Sequence, residues 1–288
     1  MVTSLASLIS APPSGRPHAV LLDSHDYAQA VLLQGKAVPW EEPMAYSNFF
    51  SQAQALLKPD VALLSLDRFV DYVLQHDAAL KLAMSARSRT GFALRTLLAD
   101  ASLAERSTAL ASIFAKMQRE PVVVVVPSPI KWLLLTHGFS SASGEVSVDA
   151  DDAENASMYV ADWLRAFSAL PIAGVILDDR MPGAGIVPAP GPSAAVPLAA
   201  YTPIANVSDH YGWGLGLRSI DRVEFRGPET GAVIGQEFWL GDDDASDCGR
   251  DVAGTESEAG LLLVGEIPPS AVPETVLRRM AALGRHPV

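Results

Sequence analysis

Short apolar runs bounded by turn residues recur eight times along the chain. They are Ala19 to Ser24, Val61 to Leu66, Pro121 to Pro127, Gly174 to Asp179, Trp213 to Ser219, Arg222 to Phe225, Glu237 to Gly241 and Leu261 to Glu266. Several, VVVVV and LLLVG above all, are apolar on successive residues, the pattern of parallel strands covered on both faces. Parallel strands need crossovers, and segments of helical periodicity lie between the runs. Over 154–170, Ala156, Tyr159, Val160, Trp163, Leu164, Phe167 and Leu170 share one stripe. A long helical region is expected over 91–118. A last helix is expected to start near Pro273, to bury Val276, Leu277, Met280 and Leu283, and to end at Gly284. Eight strands alternating with helices predict a single-domain (β/α)8 TIM barrel over residues 18–288, preceded by a flexible leader over residues 1–17.

Composition narrows the setting. The chain has 288 residues and no linker between two self-contained sets of elements, so one large domain is expected. It is 49% hydrophobic and 19% charged, as a packed globular protein is. A formal charge of -12 argues against nucleic acid as partner. The lone Cys248 forms no internal disulfide and builds no thiolate zinc site alone, which fits a reducing compartment. The start MVTSLASLISAPPSG lacks the basic region of a signal peptide, and runs such as Val122 to Val126 are too short to span a membrane. A cytoplasmic protein without a membrane anchor is expected. Two long loops are expected, from Met181 to Pro197 and from Asp242 to Ala259, the second a solvated acidic excursion without calcium-loop spacing.

The order of four segments carries a resemblance: PVVVVVPSP, then GVILDDRMP, then AYTPIANVSDHYGWGLGL, then LLLVGEIPPSAVPETVLRRM. From about Val122 to its end the chain resembles the barrel of the uroporphyrinogen decarboxylase and cobalamin-independent methionine synthase superfamily. PSP resembles that family's turn after strand three, and LDDRMP its strand-four end. In the methionine synthase branch a His-x-Cys pair, a Glu and a further Cys hold zinc. Here the matching strand end reads GLRSID with no Cys nearby, so zinc-thiol methyl transfer is not expected. The decarboxylase branch, which needs no metal, is the nearer likeness, although this chain is shorter and lacks that branch's basic amino-terminal segment.

In a barrel the residues closing each strand form the site. Asp23, Ser24, His25 and Asp26 follow the first run; His25 beside a carboxylate suits a general base, while Asp23 capping a turn with an exposed His25 is an equal alternative. Asp178, Asp179 and Arg180 close the fourth run, and neighbouring residues point to opposite faces, so one Asp is expected to enter the mouth. The resemblance favours both near the ligand. Arg218 and Ser219 close the fifth run, where a fixed cation takes the neighbourhood of the family's zinc and would bind an anion. Arg226 follows the sixth run, Glu266 interrupts the last, and Glu237 is expected at the wrong end. His210 is expected to be structural. Lys131 and His137, in or after the turn from strand three, could approach the mouth from the side, although solvated loop residues are the commoner case. GWGLGL reads as close backbone packing, and no phosphate loop, dinucleotide fingerprint, nucleophile elbow or HExxH motif is present.

The expected function is therefore a metal-independent enzyme without cofactor, a lyase of decarboxylase type or a transferase, acting on a small or medium carboxylate-bearing molecule. Asp178, Asp179, His25 and Glu266 are its catalytic candidates; Asp23, Arg180, Arg218, Ser219 and Arg226 are its substrate-binding ones. Two alternatives stand beside it: a barrel that binds a small molecule without catalysis, and a subunit working as a homodimer or beside a partner chain.

Overall fold

The computed structural model describes residues 4–140, 148–180, 196–241 and 260–284. Eight strands form one sheet: β1 Ala19–Asp23, β2 Ala62–Ser65, β3 Val122–Pro127, β4 Ile172–Asp178, β5 Gly214–Arg218, β6 Arg222–Phe225, β7 Thr230–Ile234 and β8 Leu261–Glu266. Among the described residues the helices are α1 Leu5–Ser10, α2 His25–Val31, α3 Pro43–Leu57, α4 Leu66–His76, α5 Ala78–Met84, α6 Phe92–Leu98, α7 Ala101–Met117, α8 Pro129–His137, α9 Ala150–Leu164, α10 Thr202–Tyr211, α11 Gln236–Leu240 and α12 Pro273–Ala282. The strand order β1-β8-β7-β6-β5-β4-β3-β2 brings the ends of the sheet together, giving a nearly closed TIM-like barrel. Among the described residues the backbones of β1 and β2 meet through the parallel bridge Leu21 to Val61 and the Asp60 N–H donating to Val20 O at 2.9 Å, and the Asp60 carboxylate accepts from the Val20 N–H at 3.0 Å. Near the carboxyl ends of these strands that seam carries no ladder.

One strand departs from the parallel rule. β6 pairs antiparallel with both β5 and β7, through short turns that leave no room for a helical crossover. The expected strand Glu237 to Gly241 is instead helix α11, and the strand lies just before it at β7. Adjacent buried rings, Phe238 and Trp239, give this short helix the two-faced apolarity of a buried strand. The expected helix over 91–118 is two, because Asp100 accepts from the Leu103 N–H at 2.7 Å and starts α7 afresh. The stripe through Ala156, Val160, Trp163 and Leu164 buries as expected, and α12 buries Val276 and Met280 while Leu277 stays exposed. The two long loops and Cys248 fall almost wholly outside the described residues.

The segment expected as a leader contains α1, with Leu5, Leu8 and Ile9 buried against Ala19, Leu21, Val123, Ile176 and Leu262 inside the barrel. Glycines make room for it. A Cβ on Gly214 would stand 2.7 Å from the Leu5 Cβ, and one on Gly174 would stand 2.8 Å from Gly214 O. The close packing expected of GWGLGL is thus specific: it admits the plug at the barrel's amino-terminal end. Outside the sheet, one layer of helices packs on β2 to β5, and α11 and α12 cover β7, β8 and β1.

Candidate active site at the barrel mouth

Alternation along the strands sends every second residue inward. The inward rows are apolar, with Leu21, Leu63, Val125, Ile176 and Val264, until their last position. That position is taken by Asp23, Ser65, Pro127, Asp178, Arg218 and Glu266, so a polar layer closes an apolar interior at the carboxyl ends of the strands. The register sets these groups side by side, with Asp23 opposite Glu266 and Asp178 opposite Arg218. Four of the expected residues, Asp23, Asp178, Arg218 and Glu266, therefore share one layer.

Three cations enter from just beyond the strand ends. The sequence SPIK starts α8 at the top of β3, with Ser128 as its cap and Pro129 in its first turn. This places Lys131 over the mouth, 7% exposed, with its Nζ donating to Asp178 Oδ2 at 2.9 Å. Lys131 is thus a buried ion-pair partner and not a solvated loop residue. His137 lies at the far end of the same helix. Arg180 donates from Nε to Asp178 Oδ1 at 2.8 Å and from Nη1 to Glu266. Three strands separate β4 from β8 on either side, so Arg180 crosses the whole mouth. Arg68, in the first turn of α4, donates to Asp23 Oδ2 at 3.0 Å and to Asp26, closing by side chains the seam that the backbone leaves open.

Arg218 differs from these three. It is 5% exposed; among the described residues its nearest carboxylate oxygen is Glu266 Oε2 at 4.0 Å, and its buried Nε has no hydrogen-bond partner. Burial and the neighbouring Arg180 weaken its hold on its proton, against the attraction of Asp178, Asp23 and Glu266. Asp67, beside Arg68, is the matching acidic case, since its Oδ1 is buried and unpartnered among the described residues. Burial raises its pKa to about 6; Arg68 works against this, while Asp178 and Asp23 add to it. Burial also opposes ionisation of Asp178, but Lys131 and Arg180 outweigh it and hold its carboxyl below the usual range. For Asp23 burial is likewise outweighed, by Arg68 and by the His25 N–H donating at 3.1 Å.

Four expected site residues stand elsewhere. Asp179, the residue after β4, accepts from the Ser128 hydroxyl while Asp178 lies in the polar layer, so one Asp of the pair enters the mouth. The His25 ring lies behind Asp23, stacked on Trp40 with centroids 5.2 Å apart and planes 14° apart, and against Phe50. Both its nitrogens are buried. Ser219 sits in the β5–β6 turn, its N–H donating to Arg222 O at 2.9 Å. Arg226 is at the opposite end of the barrel, because β6 is reversed; it is exposed and paired with Asp209 at 2.8 Å. Asp67 and Arg68 were not legible as site residues, because in LDRFVDYV they read as the polar face of an amphipathic helix. Their one signal is position, within three residues of a strand's end.

A cleft of about 650 Å³ at the amino-terminal end is lined by Arg16, Lys58, Asp60 and Arg119. Its buried Asp60 is already satisfied, accepting from the N–H groups of Ser14 at 2.9 Å and Val20 at 3.0 Å and from Arg16. Among the described residues the cleft's Gln54 has a buried Oε1 without a hydrogen-bond partner, as Arg218 and Asp67 have buried atoms without one at the mouth. Among the described residues no three His, Cys, Asp or Glu side chains are grouped to hold a metal ion, and no helix is long and apolar enough to cross a membrane. No family model, curated protein or solved structure matches the chain.

Proposed function

We propose that the barrel mouth binds a small carboxylate-bearing molecule through Arg218 and carries out acid–base chemistry on it with the protein's own side chains, of decarboxylase or group-transfer type. The observation that carries this reading is Arg218 itself. A guanidinium this buried normally satisfies its fork of donors with carboxylates or carbonyls, yet among the described residues the nearest carboxylate oxygen is 4.0 Å away. An anionic ligand group supplies the missing acceptors.

The surrounding pairs divide the roles. Lys131 and Arg180 hold Asp178 ionised, and Glu266 accepts from Arg180, so both carboxyl groups position cations at the mouth. In a decarboxylation the bond to the departing CO2 breaks and the electron pair left on carbon takes one proton from an acid at the mouth. Lys131 and Arg180 lie where that developing negative charge would be stabilised. The resemblance to the uroporphyrinogen decarboxylase and methionine synthase superfamily belongs to this proposal and points to the same end of the barrel. A non-catalytic binding barrel is the second reading, favoured by the engagement of Asp178 and Glu266 in ion pairs.

Calorimetric titration with propionate and succinate tests the anion site. Arg218→Met is expected to weaken binding of both about tenfold or more, the worth of charge-assisted hydrogen bonds. Its melting temperature is expected to stay level or rise, because an uncompensated buried charge is removed. Unchanged affinity with a lowered melting temperature would make Arg218 a structural ion-pair partner and end the reading. Affinity is expected to be the same in EDTA as without it.

A further inference from the structure

We infer that the cleft at the amino-terminal end of the barrel is a second ligand site, which takes a small phosphate ester with its phosphate on Arg16. This site is separate from the anion site at the mouth, at the opposite end of the barrel. Three cations from three segments line the cleft of about 650 Å³: Arg16 before β1, Lys58 at the end of α3 and Arg119 between α7 and β3. They outnumber its carboxylates, Asp60 and Glu120, although the whole chain carries a formal charge of -12.

Arg16 is held on one side only. Its Nη1 donates to Lys58 O at 2.8 Å and to Asp60 Oδ2 at 3.3 Å, which fixes the guanidinium between α3 and the β1–β2 seam. Its side chain is 12% exposed. Its Nε and Nη2 make no hydrogen bond among the described residues, yet they are not closed off from solvent as the Arg218 Nε is. Gly284, which also lines the cleft, leaves this edge uncovered; even a Cβ there would stand 4.0 Å from the Arg16 Nε. A planar fork anchored through one nitrogen, with the other two open, is preorganised for two oxygens of one anion. Lys58 and Arg119 are exposed and have no ion-pair partner among the described residues, so their charge acts on the same anion. Three cations suit a phosphate dianion better than a single carboxylate. The cleft is much larger than a phosphate ion, which leaves room beside Gln54 and Met280 for the organic part of an ester. Barrels of this kind do their chemistry at the other end, so the ester is bound here and not converted.

Calorimetric titration of the full chain with inorganic phosphate and with glycerol phosphate tests this site. Both are expected to bind, the ester at least as tightly, with a dissociation constant of about 1 mM or below. Arg16→Lys, which keeps the charge and loses the fork, is expected to weaken both about tenfold or more. Because Arg16 also holds the seam, a second variant leaves it in place. Lys58→Asn combined with Arg119→Gln changes two exposed positions, and asparagine tolerates the φ of 50° at position 58. This variant is expected to weaken both probes about fivefold or more without lowering the melting temperature of the ligand-free protein. Arg218→Met is expected to leave both affinities unchanged. Failure of both probes to bind, affinity unchanged in either cleft variant, or binding abolished by Arg218→Met overturns the cleft site; the last result would place the phosphate at the mouth. Binding of inorganic phosphate without the ester overturns the ligand class.

Discussion

At the scale of the residue, the mouth is a set of charges in unequal states of compensation, and stability should report this. Asp67 has a folded pKa raised to about 6 from an ordinary 3.8. Between these values the folded state holds a proton that the unfolded state has released, so this group's contribution to stability falls as pH rises through the window and stays low above it. Asp67→Asn is therefore expected to raise the melting temperature by several degrees at pH 7.5, on the order of 2 kcal/mol, and to leave it unchanged near pH 3.5, by calorimetric scans at both values. Lys131→Met should act in the opposite direction, since it removes one of two cations from a carboxylate that is 4% exposed; a loss of about 3 kcal/mol or more by urea unfolding is expected. Asp178, Arg218 and Glu266 were legible in sequence because each puts a charge at the end of an apolar run. Asp67 was not, and Lys131 was legible only as a residue that could approach the mouth from the side, since a first helical turn looks the same in sequence whether it roofs a site or faces water.

At the scale of the element, the informative departures are the reversed β6 and the plug α1. Both depend on small residues. A Cβ on Gly216 would stand 2.9 Å from the Phe225 ring, and one on Gly231 would stand 2.7 Å from the Val223 Cβ, so the β5–β6–β7 meander closes only with glycine at these points. The same glycine hid β7 in the sequence, because TGAVI holds too short an apolar run to stand out, while EFWL beside it mimicked a strand. The direction of β6 could not be read from its four residues; only its turns, too short for a crossover, carried that information. Gly214→Ala is expected to destabilise the fold by about 1–3 kcal/mol through its clash with Leu5. Leu5→Ala should cost less in that background than in the unaltered protein, and a double-mutant cycle by urea unfolding measures the difference. Additive losses would mean that α1 does not seat on the β4–β5 glycines.

At the scale of the molecule, the two ends of the barrel differ. The amino-terminal end is filled by α1 and locked at the β1–β2 seam by Asp60, whose carboxylate accepts three hydrogen bonds; at the carboxyl end Arg218 and Asp67 each have a buried atom without a partner among the described residues. Barrels of this kind carry their sites at the carboxyl end, which is where the proposed anion site lies. The most direct test of the anion site is a crystal structure of the protein grown with saturating succinate. A succinate carboxylate is expected at the mouth, with an oxygen about 2.7–2.9 Å from an Arg218 guanidinium nitrogen. A structure with Arg218 hydrogen-bonded to Glu266 or Asp178 and succinate bound away from the mouth would contradict the proposed site.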